Sequence, residues 1–209
     1  MKRNIMLVIA LAGVVFAGKI GITSASKPAD YIAPNAEMAA AAQGQGGVQE
    51  ILQAEEERSQ RGLVLSPVQI NAGYGKTRFL IGLGSYLVNA TSGCNDCHTN
   101  PNFADGGDPF RGQATKVNAK NYLAGGAKFG PFTSRNLTPD PTKNNLPAGL
   151  TLEQFIRVMR TGEDTKKLHE PISPLLQVMP WPVYGKMSDR DLHAIYLYLS
   201  VLPHTEPAP

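Results

Sequence analysis

Cysteine is scarce in this sequence: 209 residues hold two, Cys94 and Cys97, and only four histidines. A zinc site built on that pair would have to recruit from His169, His193 and His204, which are scattered along the chain. A thioredoxin-type disulfide belongs at the helix start of a βαβ unit, and no strand pattern precedes Cys94. Long apolar runs are missing too. The longest, Ile5 to Ala17, falls short of the roughly 20 residues that span a bilayer. Net charge is small, +3 from 20 bases and 17 acids. Three of those bases, Lys2, Arg3 and Lys19, lie in the first 25 residues with no acid, so the remainder is neutral. Nucleic-acid binding therefore has no electrostatic support. No internal repeat is visible. The 21 glycines and 16 prolines point to long loops between few helices, and against a strand-rich sandwich.

The first segment reads as an export signal. Lys2 and Arg3 precede the apolar run, and Thr23 and Ala25 are small enough for the −3 and −1 positions of a cleavage site after Ala25. The competing reading is an uncleaved anchor extended through Ile20 and Ile22, against which Lys19 counts. No cysteine stands at the cut to carry a lipid. Residues 26–75 are acidic and rich in Ala and Gly, and are expected to be a flexible or loosely docked extension in which 48–60 forms a polar helix. Residues 76–205 are the expected folded domain, and 206–209 a tail.

Three helices are expected in that domain. The first covers 78–90, with Phe79, Leu80, Leu83, Leu87 and Val88 at helical spacing and Gly82 and Gly84 small enough to admit another helix. The second starts at Thr151, a capping-box residue with Gln154 three positions on, and stops at Gly162. The third starts at Ser188 and buries Leu192, Ile195, Tyr196 and Leu199. About fifty residues rich in Gly, Pro and Asn separate the first two, and so long a loop region needs an internal support.

The support is written at Cys94-Asn95-Asp96-Cys97-His98. Two residues between the cysteines let both thiols reach the two vinyl groups of one porphyrin as thioethers, and the next residue turns an imidazole toward the iron. One such motif predicts one covalent haem c, a group attached outside the cytoplasm in bacteria, in keeping with the export signal. The sixth iron ligand separates function classes. A thioether or a second imidazole closes the iron and makes an electron carrier, whereas an open position permits peroxidase-like or sensor chemistry. Met179 is the leading candidate, after an apolar run and before Pro180. Met187 and His169 are the alternatives, Met38 lies in the Ala-rich extension, and Met159 falls inside a helix, where methionine more often fills core space. Gly75-Lys76-Thr77 looks like the end of a P-loop, but the earlier glycine that motif needs is Ile70.

Several segments resemble the monohaem class I c-type cytochromes, especially the cytochrome domains that partner periplasmic dehydrogenases. They are Gly84-Ser85-Tyr86-Leu87-Val88, the Cys94–Thr99 stretch, Asn136-Leu137-Thr138-Pro139-Asp140, Met179-Pro180-Trp181-Pro182, and Lys186-Met187-Ser188-Asp189. The resemblance covers about residues 76–203. It implies an all-α cytochrome c fold in which the helix at 78–90 crosses the one at 188–200. It also implies that Met179 is the distal ligand and that the segment around Asn136 borders the haem. The acidic extension has no counterpart in a minimal cytochrome c, and dehydrogenase subunits often carry three haem motifs where this chain has one. The implied role is a carrier of single electrons in the periplasm between larger redox proteins, with no bond-making chemistry of its own. A tethered cytochrome subunit of a membrane dehydrogenase complex is the alternative, and peripheral membrane association is compatible with either. The excess of bases over 111–160, eight against two acids, would suit docking to an acidic partner, with Glu55, Glu56 and Glu57 able to fold back and mask them.

Overall fold

The computed structural model describes residues 45–164 and 172–208. The expected signal at 1–25, the first part of the extension, His169 and Met38 lie outside those residues. In chain order the helices are α1 (Gln45–Leu65), α2 (Gly75–Tyr86), α3 (Cys94–His98), α4 (Leu152–Thr161), α5 (Trp181–Tyr184) and α6 (Asp189–Ser200). The strands are two-residue pairs: β1 (Lys128–Phe129) against β2 (Phe132–Thr133), and β3 (Pro139–Asp140) against β4 (Leu146–Pro147), both antiparallel. The described part of the chain is thus helix-rich, in keeping with the all-α expectation. None of its helices is long and apolar enough to cross a membrane.

Two of the expected helices start where their caps put them. Thr151 accepts from the Gln154 backbone N–H at 3.3 Å while Gln154 accepts from the Thr151 N–H at 2.9 Å, closing the capping box of α4. The helix ends at Gly162, left-handed at φ +69°. Ser188 caps α6 through the Asp191 N–H at 3.1 Å. The helix expected at 78–90 begins three residues earlier. After Tyr86 it widens into a π-helical turn over Leu87–Thr91, an uncommon feature that often marks functional regions.

α2 is the centre of the helix packing, and its two glycines serve different neighbours. A Cβ on Gly84 would overlap the Ala194 carbonyl of α6, so these two helices cross backbone against backbone. A Cβ on Gly82 would collide with Ser59 of α1, and one on Gly62 with the backbone of α2. Ser59 Oγ donates to the Phe79 carbonyl at 2.9 Å, and Ser85 Oγ donates to the Gly62 carbonyl at 2.6 Å. Arg190 of α6 pairs with Glu55 of α1 at 2.8 Å and lies over the Phe79 ring.

The extension expected at 26–75 therefore needs correction over 45–75. Ser59 and Ala72 are buried at 1 % and 5 % exposure, and Leu63, Val68 and Ile70 pack against the core. The physical reason is the kind of contact. α1 docks through Ser59 and Gly62, a small polar face that lets backbones touch, and an apolar periodicity has nothing to register there.

Behind the crossing lies a buried polar network. Tyr122 Oη donates to Asn89 Oδ1 at 2.6 Å and lies 2.9 Å from the Tyr198 hydroxyl, which donates to Ser66 Oγ at 3.0 Å. Asn89 belongs to the π turn, and its amide donates to the Ser85 carbonyl at 3.0 Å. Burial pushes the Tyr122 phenol far above its ordinary range, so it stays a neutral donor. Tyr122→Phe should leave the Asn89 carbonyl oxygen without that donor, at a cost of about 1–3 kcal/mol. A urea unfolding midpoint indistinguishable from wild type would show that the network carries no stability.

Candidate functional site

The attachment motif is held by contacts on three sides. Gly93 enters α3 left-handed at φ +60°. Thr99, fully buried, donates to Asn95 Oδ1 at 2.7 Å and accepts from the Leu123 N–H at 3.0 Å. Leu123 is itself left-handed at φ +56°, an uncommon state for a bulky residue, and its carbonyl accepts from Leu137 N–H at 2.9 Å. The His98 carbonyl accepts from Gly125 N–H at 2.7 Å. Gly125, left-handed at φ +79°, has no room for a side chain against the backbone of Ser134 and Arg135.

His98 Nδ1 lies 2.7 Å from the Arg135 carbonyl oxygen. A carbonyl only accepts, so Nδ1 carries the proton and Nε2 presents its lone pair. Burial holds the imidazole below its usual pKa, with the Arg135 charge acting in the same direction and the carbonyl bond opposing it. The ring is therefore neutral near pH 7, as a metal ligand must be. Neither thiol is activated. Burial, with the charges of Cys97 and Asp96, pushes Cys94 up to about 12, and burial and Asp96 also raise Cys97. Both cysteines are free, and among the described residues no three His, Cys, Asp or Glu side chains gather as a bare metal ion would need.

Cys94, Cys97 and His98 open onto one cavity of about 1250 Å³, counting the part open to solvent. Its walls are almost wholly apolar. Val88, Leu150, Phe155, Val158, Ile195 and Leu199 form the floor, Phe129 and Phe132 of the β1–β2 hairpin one side, and residues 175–180 another. Met179 is in that last wall, half-buried. Its approach is fixed by Leu176 N–H donating to the Gly162 carbonyl at 2.8 Å, and by Trp181 Nε1–H donating to the Leu176 carbonyl at 3.2 Å. Gly162 lies directly against the Trp181 ring, where a Cβ would overlap it. Met159, buried in α4, also lines the cavity, whereas Met187 packs on the core away from it. His193 is half-buried on α6 and is not among the lining residues.

The chain matches three curated proteins over part of its length. It is 32 % identical over 135 residues to the fructose dehydrogenase cytochrome subunit of Gluconobacter japonicus, covering 62 % of this chain and 23 % of that one. It is 29 % identical over 119 residues to the cytochrome c subunit of the quinone alcohol dehydrogenase of Gluconobacter oxydans strain 621H, covering 57 % and 20 %. The gluconate 2-dehydrogenase cytochrome c subunit of Pantoea cypripedii is 30 % identical over 119 residues, covering 57 % and 22 %. One is named a cytochrome subunit and two are named cytochrome c subunits, and the chain is similar to all three. It spans about a fifth of the length of these curated relatives. No family model and no solved structure matches.

For a relative of cytochrome c subunits the group to test is haem, and the donor set fits. Two thiols one helical turn apart, an imidazole with Nε2 uncommitted and a thioether share a cavity lined mostly by hydrocarbon. Sequence reasoning missed the polar side chains in that wall. Arg135, counted above among the docking bases, is only 16 % exposed and its guanidinium pairs with Asp164; both line the cavity. Tyr184 Oη donates to the Ser92 carbonyl at 2.6 Å, joining α5 to the turn before Cys94. The one available signal was the position of Arg135 beside Asn136, in the segment the resemblance puts next to haem. Glu55, expected as a mask for the loop bases, is paired with Arg58 and Arg190 instead.

Proposed function

We propose that this chain is a periplasmic electron-transfer protein of the cytochrome c fold, carrying one haem c. Cys94 and Cys97 would hold the porphyrin as thioethers, His98 would bind the iron through Nε2, and Met179 would close the opposite side. Haem c, when bound, supplies a one-electron iron couple. The chain's own residues orient the imidazole through the Arg135 carbonyl and keep water from most of the cavity with hydrocarbon. The observation that supports this reading best is the convergence of two thiols, a committed imidazole and a thioether on one apolar cavity. A thioether and an imidazole suit both iron oxidation states, so the wall need not rearrange as an electron passes. The electron partner is proposed to be a dehydrogenase, on the ground that all three relatives are subunits of such enzymes. Export to the periplasm rests on the signal at 1–25 and on where c-type haem is attached.

The test is covalent attachment. Wild-type protein expressed with a haem-attachment system should keep its haem through acid-acetone extraction and on a denaturing gel. The double variant Cys94→Ala, Cys97→Ala should lose it completely. Haem that extracts from the wild type would end this reading.

A further inference from the structure

The cavity has two ligand-bearing walls, and among the described residues an ion pair joins them. Arg135 belongs to the wall behind His98, since its carbonyl takes the Nδ1 proton at 2.7 Å. Asp164 belongs to the wall that carries Met179. Its backbone N–H donates to the Pro174 carbonyl at 2.9 Å, Glu163 forms an antiparallel bridge with Leu175, and Leu176 N–H donates to Gly162. Residues 162–164 thus pair with 174–176, and Met179 follows three residues later. The Arg135 guanidinium reaches across to the Asp164 carboxylate, whose side chain is 2 % exposed.

We infer that the Arg135–Asp164 pair is a clamp across the cavity: it positions the Met179 wall against the His98 wall and so sets how readily the sixth position opens. The inference rests on the ligation proposed above. An exposed ion pair would do little of this, because solvent replaces each partner when it breaks. A buried pair differs, since parting the walls separates two opposite charges where little water screens their attraction. The surface pair Arg157–Glu163, at 2.7 Å and with side chains 65 % and 42 % exposed, lies one residue from Asp164 and is the natural contrast. Arg135 and Asp164 act through the Met179 wall and are positioning residues.

The experiment uses purified holoprotein and three readouts: the far-red sulfur-to-iron band of the oxidised form, the affinity of the oxidised form for added imidazole, and the rate of carbon monoxide binding to the reduced form. Asp164→Asn and Arg135→Leu, the second of which keeps the backbone carbonyl that His98 uses, should each weaken the far-red band and raise imidazole affinity and carbon monoxide rate at least tenfold. Asp164→Glu should restore most of the band, and Glu163→Gln should change nothing. If Asp164→Asn lowers the melting temperature while the band and both binding measurements stay within twofold of wild type, the pair is merely structural and the clamp is refuted. Should both primary variants fail to fold, Arg135→Gln, which keeps the backbone carbonyl and removes the charge, decides the matter, and wild-type values of all three readouts in it would refute the clamp. A wild type that shows no far-red band at all overturns Met179 ligation itself, and the clamp with it.

Discussion

Met179→Ala is expected to abolish the far-red band, to let carbon monoxide bind the reduced protein within the mixing time, and to lower the reduction potential. A thioether on the iron would favour its ferrous state, and losing it would leave water or a stronger oxygen donor in its place. Axial ligation spans about 0.8 V across haem proteins, so a fall on the order of 0.2 V is the expected scale. The same variant should be only modestly less stable, because Met179 is half-buried and its wall is fixed by backbone hydrogen bonds at Leu176 and Trp181 rather than by its own packing. Spectroscopy and redox titration of the purified protein check both parts. Met159 is the residue to watch, since it lines the same cavity from α4. If Met179→Ala were silent and Met159→Leu removed the band, the ligand would be the helical methionine.

Gly84→Ala is expected to be among the most damaging single methyl additions at the described residues. The added carbon has to share space with the Ala194 carbonyl, and Tyr198 Cβ stands 2.9 Å away. Both obstacles are backbone or bound directly to it, so no rotamer change relieves them. Overpacking usually costs 1–3 kcal/mol, and a clash with rigid backbone belongs at or above the upper figure, about 3 kcal/mol. For a chain of this size that amounts to a drop of about 6–12 °C in melting temperature. Gly73→Ala provides the control. Gly73, unlike the helical Gly84, is left-handed at φ +63° and has nothing within 4 Å of a new Cβ, so only backbone strain of about 1 kcal/mol is added. Equal losses from the two variants would mean that the α2–α6 crossing is looser than its geometry.

The features legible in the sequence are those with local chemistry. The capping residues Thr151 and Ser188 announce helix starts because the bond they make is three residues away. The haem motif is equally local. The docking of α1 was not legible, because its signal is the smallness of Ser59 and Gly62 opposite Gly82, and smallness alone does not say which helix will fill the gap. The π turn was missed for a related reason. Leu87 and Val88 continue a helical spacing, and the side-chain partners that Asn89 finds across the fold within this turn, Tyr122 and Tyr198, lie far off in the chain. Arg135 and Asp164 read as ordinary loop charges until the fold brings positions 29 residues apart into one wall.

The docked first helix also decides where this protein can be shortened or fused. A cut at residue 76, where the composition changes, would strip α2 of its cover. Ser85 would lose the Gly62 carbonyl, Tyr198 would lose Ser66, and the Gly82 groove would face water. Such a fragment would present a new sticky face to its neighbours in solution. The safe boundary for a reporter, an affinity handle or a fusion partner therefore lies ahead of Gln45, and the smallest working piece is a quarter again as long as composition implies.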